Sequence, residues 1–288
     1  MKNKIYNILI FGALGLCLIF VLMNPITQLI NRIYSDGVVT VYDNQVSSLN
    51  SDEKDYLFDE ARIYNQNLIN NVADCFSPNS FNTTDDYDNI LNITGNGVMG
   101  TVSIPIINVN LPIYHGSSEE VFDKGAVHMA NTSFPIGGES THSVVSAHTA
   151  YPGKIFFDRL TDVETGAFFY ITILDKTFAY KVCQIDVVLP NETELLKIEQ
   201  GQDLVTLVTC TPYSVNTHRL LVRGQRDLEE EKRLESEGVD VNGSKTDKVL
   251  YYLIIIFIIA TLLSGVLIFT RHYRKEGTNA YDTNKKQI

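Results

Sequence analysis

The stretch TLVTCTPYSVNTHRLLVRGQR, residues 206–226, holds two β-type runs separated by a polar turn. The first run ends at Cys210, and Pro212 then stops the strand because proline has no amide hydrogen to donate to a sheet. A hairpin here would return the second run beside the first, with Arg219 and Arg223 on one face because side chains alternate along a strand. Arg219 is nearer the turn, so the pattern predicts a thiol and a guanidinium close together where the strand pair ends.

Similar short runs precede this hairpin, and turns rich in Gly, Pro, Asn and Asp separate them. The runs are VMGTVSIP (98–105), INVNLPIY (107–114), SVVSAH (143–148), FFYITIL (168–174), TFAYKVCQIDVVL (177–189), LVTLVTC (204–210) and RLLVRGQ (219–225). Seven or eight strands with few helical stretches are typical of a β-barrel or sandwich rather than a parallel α/β sheet. Residues 98–226 are therefore predicted to form one mainly-β domain.

A helix and a long polar segment precede this domain, within an N-terminal region of residues 25–97. Residues 51–70 carry an apolar stripe at spacings of four, three and four, formed by Leu57, Ala61, Tyr64 and Leu68. This spacing predicts an amphipathic helix with Asn50 or Ser51 as its N-cap. Residues 71–96 are rich in Asn, Asp, Ser and Thr and predict a long surface loop, a kind of loop that is often functional or disordered.

The N-terminus carries an uncharged apolar segment, residues 8–23, which follows Lys2 and Lys4. It is short for a membrane span, so a secretory signal is the alternative. No small residues typical of a cleavage site follow it. Residues 1–24 are therefore predicted to be a cytoplasmic tip and a retained membrane anchor.

A second apolar segment, residues 249–270, has no charge over 22 positions. As a helix it would measure about 33 Å, enough to cross a bilayer. Basic residues follow at once, so the positive-inside rule places the tail, residues 271–288, in the cytoplasm. Residues 227–248 are charged and nearly free of large apolar side chains, and they predict a tether to this transmembrane helix.

The composition of the chain argues against several classes of function. The net charge of −11 argues against nucleic acid as a partner. Of the four cysteines, Cys17 lies in the first apolar segment, and the other three are too few for a disulfide framework. The acidic residues and histidines show no metal-ligand spacing, so neither a metal nor a cofactor is predicted. Cys183, in the run YKVCQI, is expected in the core, which leaves the thiol of Cys210 to be explained.

A cysteine attacks only as thiolate, and therefore needs a nearby cation or base. Arg219 is the candidate cation for Cys210, and Arg223 is the second choice. His148 ends the run SVVSAH in the same strand-to-loop context as Cys210, so the two could meet at equivalent ends of neighbouring strands. The other histidines lie in turns, at strand edges or in the C-terminal tail: His115, His128, His142, His218 and His272. From these residues alone, a catalytic Cys210 and an inert buried cysteine both stay open.

The spacing of these residues resembles that of the sortases, membrane-anchored cysteine transpeptidases of Gram-positive bacteria. TLVTC is followed nine residues later by Arg219, and SAH stands about 60 residues upstream. The amino-acid sequence of residues 97–153 and 206–226, together with the second apolar segment, resembles that of class C sortases, the pilin-polymerising branch. The resemblance implies an eight-stranded β-barrel preceded by helices, with Cys210 as nucleophile, His148 as general acid/base and Arg219 as stabiliser of the oxyanion and substrate.

Class C sortases usually carry a lid over the groove, built on Asp-Pro-aromatic, and the corresponding place here reads Asp74-Cys75-Phe76. The resemblance implies that Asp74 pairs with Arg219 and that Phe76 covers Cys210. Cys75 stands where proline would fix φ, so we expect a more mobile lid. It also raises the hypothesis of a reversible disulfide between Cys75 and Cys210. The alternative is an unrelated polar loop.

The predicted function is cleavage of an LPXTG-like sorting signal of pilin subunits through a thioester acyl-enzyme, with transfer to a lysine amine of another pilin. The expected partners are these pilins and the cell membrane, with the catalytic domain outside the cell and both termini in the cytoplasm. One alternative is a housekeeping sortase that attaches proteins to the cell wall, and product analysis separates it. Another is a non-catalytic anchored assembly domain, whose role would not depend on Cys210.

Overall fold

The computed structural model describes residues 2–69, 87–116 and 118–241, together with residues 255, 257, 261 and 265. The chain divides into two compact units, Met1–Ser244 and Lys245–Ile288, and the described residues of the second are helical. Among the described residues, no helix has the length and apolar character needed to cross a membrane. The spans expected at residues 8–23 and 249–270 therefore stay predictions.

Eight strands close into a barrel in the order β1-β2-β3-β4-β7-β8-β6-β5. They are β1 (Val98–Ile104), β2 (Val109–His115), β3 (Ala126–His128), β4 (Thr141–Ser146), β5 (Phe168–Ile173), β6 (Lys176–Val188), β7 (Asp203–Thr211) and β8 (His218–Arg226). This confirms the mainly-β, eight-stranded prediction. The seven runs read from the sequence all form strands. The eighth strand, β3, is not among those runs, because its three residues are too few to show an alternating pattern.

The wall formed by β4, β7 and β8 positions the candidate site. β4 and β7 are parallel neighbours, and β7 and β8 form the antiparallel hairpin predicted from the sequence. Val145, Leu207 and Val222 lie side by side across these three strands, and all three are fully buried. Burying each such side chain contributes roughly 1.5–3 kcal/mol to the free energy of folding, so this continuous apolar row stabilises the wall.

Helices α1 (Lys2–Ser48) and α2 (Ser51–Ile69) precede the barrel. Asn50 caps α2, because its Oδ1 accepts the Glu53 amide at 3.0 Å while the Glu53 carboxylate accepts the Asn50 amide at 2.9 Å. Tyr42 fixes α1 to the barrel, since its hydroxyl donates to Met99 O at 2.7 Å and accepts the Leu174 amide at 2.9 Å. The predicted N-terminal helix and its capping are therefore confirmed, with Asn50 as the N-cap.

The segment predicted as a tether begins with a helix, α4 (Leu228–Glu237), that packs on the barrel. Arg226 holds it by pairing with Glu231 at 2.8 Å and with Asp203 of β7 at 3.2 Å. Tyr170 donates to Glu230 at 2.8 Å, and Leu234 is buried beside it. Residues 228–237 are thus not a simple tether, because their charges find partners on the barrel.

Of the three histidines buried in the described part of the chain, His128 and His142 are neutral side chains of the barrel wall. His128 Nε2 donates to Ser133 O at 2.9 Å, and His142 lies 2.8 Å from both Lys197 O and Thr206 Oγ1. Burial lowers the pKa of His128 to about 3 and that of His142 to about 4. These hydrogen bonds and pKa values indicate structural roles.

We expect the free energy of unfolding to fall as pH drops below the ordinary histidine pKa of 6.5. The unfolded chain then binds protons that native His128 and His142 do not, at about 1.4 kcal/mol per pH unit for each histidine. Urea unfolding of the full chain between about pH 7 and about pH 5 measures this slope. His142→Gln should reduce the slope, whereas His218→Gln, at the partly exposed start of β8, is the control. A slope that His142→Gln leaves unchanged would contradict the assignment.

Candidate active site

Cys210 and Arg219 face each other across the hairpin of β7 and β8, where they are directly paired in the register. Cys210 is a free thiol and partly exposed. The guanidinium of Arg219 is held by the turn itself, because Nη1 donates to Asn216 O at 3.3 Å and to His218 O at 3.1 Å. The sequence prediction of a thiol beside a guanidinium thus matches the backbone register.

His148 lies at the same edge of the barrel, just after β4. The parallel register pairs Ser146 with Val208, and His148 and Cys210 each follow two residues later. The Thr209 hydroxyl donates to Ala147 O at 2.8 Å, so the two chains stay side by side beyond the paired residues. The ends of β4 and β7 and the start of β8 therefore place the three predicted residues at one edge of the barrel.

Two aromatic rings enclose the imidazole of His148. Tyr151 stacks on it, with ring centroids 5.1 Å apart and planes inclined by 22°. The Phe122 ring lies at the same centroid distance with a tilt of 44°. The amide of Phe157 donates to His148 O at 3.0 Å, which fixes the main chain. The catalytic candidate thus sits in a preformed aromatic slot.

Burial is the main influence on the charge state of His148, and it lowers the pKa of the imidazole. The carboxylate of Asp123, with Oδ1 4.0 Å from Nε2, acts in the opposite direction, followed by Glu119 and Asp158. The ammonium of Lys154 lowers the pKa further. A lowered pKa favours neutral imidazole at neutral pH, the form that can accept the proton of a thiol.

The second-choice arginine, Arg223, lies elsewhere in the wall and is buried. It pairs with Glu199 at 2.8 Å, bonds to Gln184 at 3.1 Å and donates to Leu195 O. These partners tie the connection between β6 and β7 to the barrel. Arg223 therefore has a structural set of contacts, and Arg219 is the arginine beside the thiol.

The prediction that Cys183 lies in the core is wrong, because its side chain is exposed on β6. The register of β6 against β8 shifts between Val182 and Gln184, and Val182 faces the core while Cys183 faces out. Its thiol lies 3.5 Å from Arg223 O. The apolar neighbours of Cys183 in the sequence suggested burial, but the strand pleat at this bulge decides its direction.

The lid residues Asp74, Cys75 and Phe76 lie outside the described residues, so the lid and its disulfide hypothesis stay predictions. Within the described ranges, no three or more His, Cys, Asp or Glu side chains group closely enough to hold a metal ion.

The exposed turn next to Cys210 presents Tyr213 and Val215 to solvent. A peptide approaching the thiol would meet this apolar pair.

Sequence reasoning missed the three residues that surround His148: Phe122, Asp123 and Tyr151. Phe122 and Asp123 stand at the end of the four-residue helix α3 (Glu119–Phe122), and Tyr151 lies in the loop after His148. None of them belongs to a periodic pattern, because all three lie at or beyond the ends of strands and helices. Only the fold brings the two segments to one imidazole.

Comparison with known proteins identifies the family to which this fold belongs. A family model described as the sortase domain matches residues 102–227. Sortase C of Streptococcus pneumoniae is 38% identical with a TM-score of 0.61, covering 66% of this chain and 96% of that one. Sortase C of Clostridium perfringens is 42% identical with a TM-score of 0.57, covering 66% and 98%. The chain belongs to the sortase family, a family of cysteine transpeptidases, and its structural neighbours are class C sortases.

Curated relatives are more distant and carry other class names. Sortase A of Streptococcus agalactiae is 28% identical over 145 residues, 49% of this chain, and sortase A of Bacillus anthracis is 25% identical over 127 residues, 44% of this chain. The matches span 58% and 59% of the length of these relatives.

Proposed function

We propose that this chain is a pilin-polymerising sortase that cleaves an LPXTG-like sorting signal and joins the cleaved pilin to a lysine of the next one. The observation that carries the proposal is the meeting of Cys210, His148 and Arg219 at one barrel edge. The class C neighbours support it, since the S. pneumoniae enzyme was described with respect to pilin substrate specificity. The C. perfringens enzyme was solved with a C-terminal cell wall sorting motif.

In the acylation step, His148 takes the proton of the Cys210 thiol, and the thiolate attacks the scissile carbonyl carbon. The carbonyl oxygen becomes negatively charged in the tetrahedral intermediate, where the guanidinium of Arg219 stabilises it. As the C–N bond breaks, His148 returns its proton to the departing amine. The product is a thioester on Cys210.

In the second step, the ε-amine of a pilin lysine attacks the thioester carbonyl. His148 accepts a proton from the attacking nitrogen, and the thiolate of Cys210 leaves as the isopeptide bond forms. Water in place of the amine would give hydrolysis only. Transpeptidation therefore depends on how well the acceptor amine competes with water at the exposed edge beside Cys210.

We also place the protein at the cell membrane, with the barrel outside and both termini in the cytoplasm. The support is the uncharged sequence of residues 8–23 and 249–270 and the basic residues beside them. A position at the membrane would hold the site where secreted pilins emerge.

The test is product analysis with the full chain in detergent, a pilin that carries an LPXTG-like signal, and a cell-wall peptide amine in competition. A ladder of covalent pilin polymers is the expected result. Pilin linked singly to the wall peptide, without a ladder, would instead favour the housekeeping function. A cellular assembly role that survives Cys210→Ala would favour the non-catalytic alternative.

A further inference from the structure

Asp123 lies at the C-terminal end of α3, with its carboxylate turned toward His148. Its amide bonds back to Glu119 O, which closes the short helix. Oδ1 lies 4.0 Å from Nε2 of His148, with side-chain exposures of 41% and 34%. The preceding residue, Phe122, forms one wall of the imidazole slot. One short segment thus supplies both an apolar wall and a negative charge to the same ring.

Asp123 is also tied to the loop that follows His148. Lys154 Nζ donates to its main-chain oxygen, and its carboxylate raises the pKa of the Tyr151 hydroxyl. Tyr151 is the residue whose ring stacks on His148. Asp123 is therefore linked to the loop that forms the opposite wall of the slot, in addition to lying near the imidazole.

The other carboxylates near His148 either bond to the main chain or influence His148 less than Asp123 does. Asp158 accepts the amides of Ala150 and Phe156 at 3.0 Å and 2.9 Å, so it orders the loop. Glu119 is on α3, and its influence on His148 is smaller than that of Asp123. On the barrel side, Cys210 and Arg219 are paired where β7 ends and β8 begins, at the same edge of the barrel as His148. Asp123 is thus the principal carboxylate that acts on His148.

We propose that Asp123 is a positioning residue for His148, whose negative charge, 4.0 Å from Nε2, stabilises the imidazolium that forms during acylation. The proposal rests on the proposed function, in which His148 carries the proton from thiol to leaving amine. Because the carboxylate lies on the Nε2 side, it favours the tautomer with the hydrogen on Nε2, and the lone pair of Nδ1 then accepts the thiol proton. The proton passes from Nδ1 to the amine, and none is transferred to Asp123.

The test is the pH dependence of kcat/KM for cleavage of an LPXTG-type peptide by the full chain in detergent. His148 accepts the thiol proton as neutral imidazole, so the acid limb reports its protonation in the free enzyme. Asp123→Asn should move this limb to lower pH and lower the plateau of kcat/KM by about tenfold, because the imidazolium formed during acylation loses the nearby negative charge. Asp123→Glu, which keeps the charge, should restore most of the activity.

Glu120→Gln is the matched control, because it removes one negative charge from the same helix. Glu120 pairs with Lys124 at 2.9 Å and is not among the groups that influence His148. An equal shift in both variants would indicate a general surface-charge effect and contradict the proposal. A loss of activity at all pH values with an unmoved limb would show a merely structural role and contradict it too.

A second readout separates this inference from the proposed function. NMR titration of ¹³C-labelled histidine in the full chain, assigned with His148→Gln, follows the imidazole directly. A titration midpoint that falls in Asp123→Asn but not in Glu120→Gln supports the inference even if no peptide is cleaved. An unchanged midpoint overturns it. Absence of Cys210-dependent cleavage in the wild type would count against the proposed function alone.

Discussion

Replacing Cys210 with alanine is expected to abolish cleavage of a sorting peptide, with kcat/KM falling by about 10⁴-fold or more. In the proposed mechanism, the thiolate sulfur of Cys210 forms the bond to the substrate, and alanine has no nucleophilic atom to take its place. The partner strand still carries Arg219, so the fold and the binding surface should be retained. Peptide cleavage, measured by chromatography alongside a thermal melt, checks both parts of this expectation.

The control for this change is Cys183→Ser, since Cys183 is the other free thiol among the described residues and is exposed on β6. It should leave the cleavage rate within about twofold of the wild type. If Cys183→Ser removed activity and Cys210→Ala did not, the assignment of the nucleophile would be reversed. Alkylation with iodoacetamide should likewise inactivate the Cys183→Ser protein through Cys210.

Arg219→Ala is expected to have the second largest effect, a loss of about 10²–10³-fold in kcat/KM. Arg219 is paired with Cys210 in the register, and in the proposed mechanism its guanidinium stabilises the negative charge on the attacked carbonyl. Arg219→Lys should recover only part of the loss, because an ammonium keeps the charge without the planar fork. Steady-state kinetics of the three proteins measures this series.

Arg223 provides the matched comparison, because it is an arginine on the same face of the same strand. Its partners are Glu199 and Gln184, and it is buried, whereas Arg219 is partly exposed and, among the described residues, bonds to main-chain oxygens of its own turn. Arg223→Ala should therefore lower the melting temperature, while Arg219→Ala should leave it nearly unchanged. The reverse pattern, with stability lost at Arg219, would contradict a catalytic role for that residue.

The hairpin that joins Cys210 and Arg219 could be predicted from sequence because its determinants are local. Alternation sets the faces of the two strands, and Pro212 marks the turn between them. The position of His148 cannot be predicted from local sequence alone. β4 and β7 are far apart in the chain, and only their parallel pairing brings His148 to the edge that carries the thiol. From residues alone this meeting was open, and the family resemblance supplied it.

Other features depend on tertiary contacts that leave no local signal. The charges of α4 suggested a tether, but Arg226 and Tyr170 give two of its glutamates partners on the barrel. Asp123 stands in a short polar segment that reads as an ordinary surface turn, and only the fold places its carboxylate near His148. The membrane segments and the lid, by contrast, rest on sequence and resemblance alone.

The central claim is that Cys210 forms a thioester with the cleaved sorting signal, and mass spectrometry of the full chain tests it most directly. The protein in detergent is mixed with an LPXTG-type peptide without an amine acceptor, quenched in acid and digested. The predicted result is an acyl adduct on the peptide that contains Cys210, released by hydroxylamine, absent from Cys210→Ala and much reduced in His148→Ala. Cleavage of the substrate by wild-type protein with no adduct on Cys210 would contradict the account.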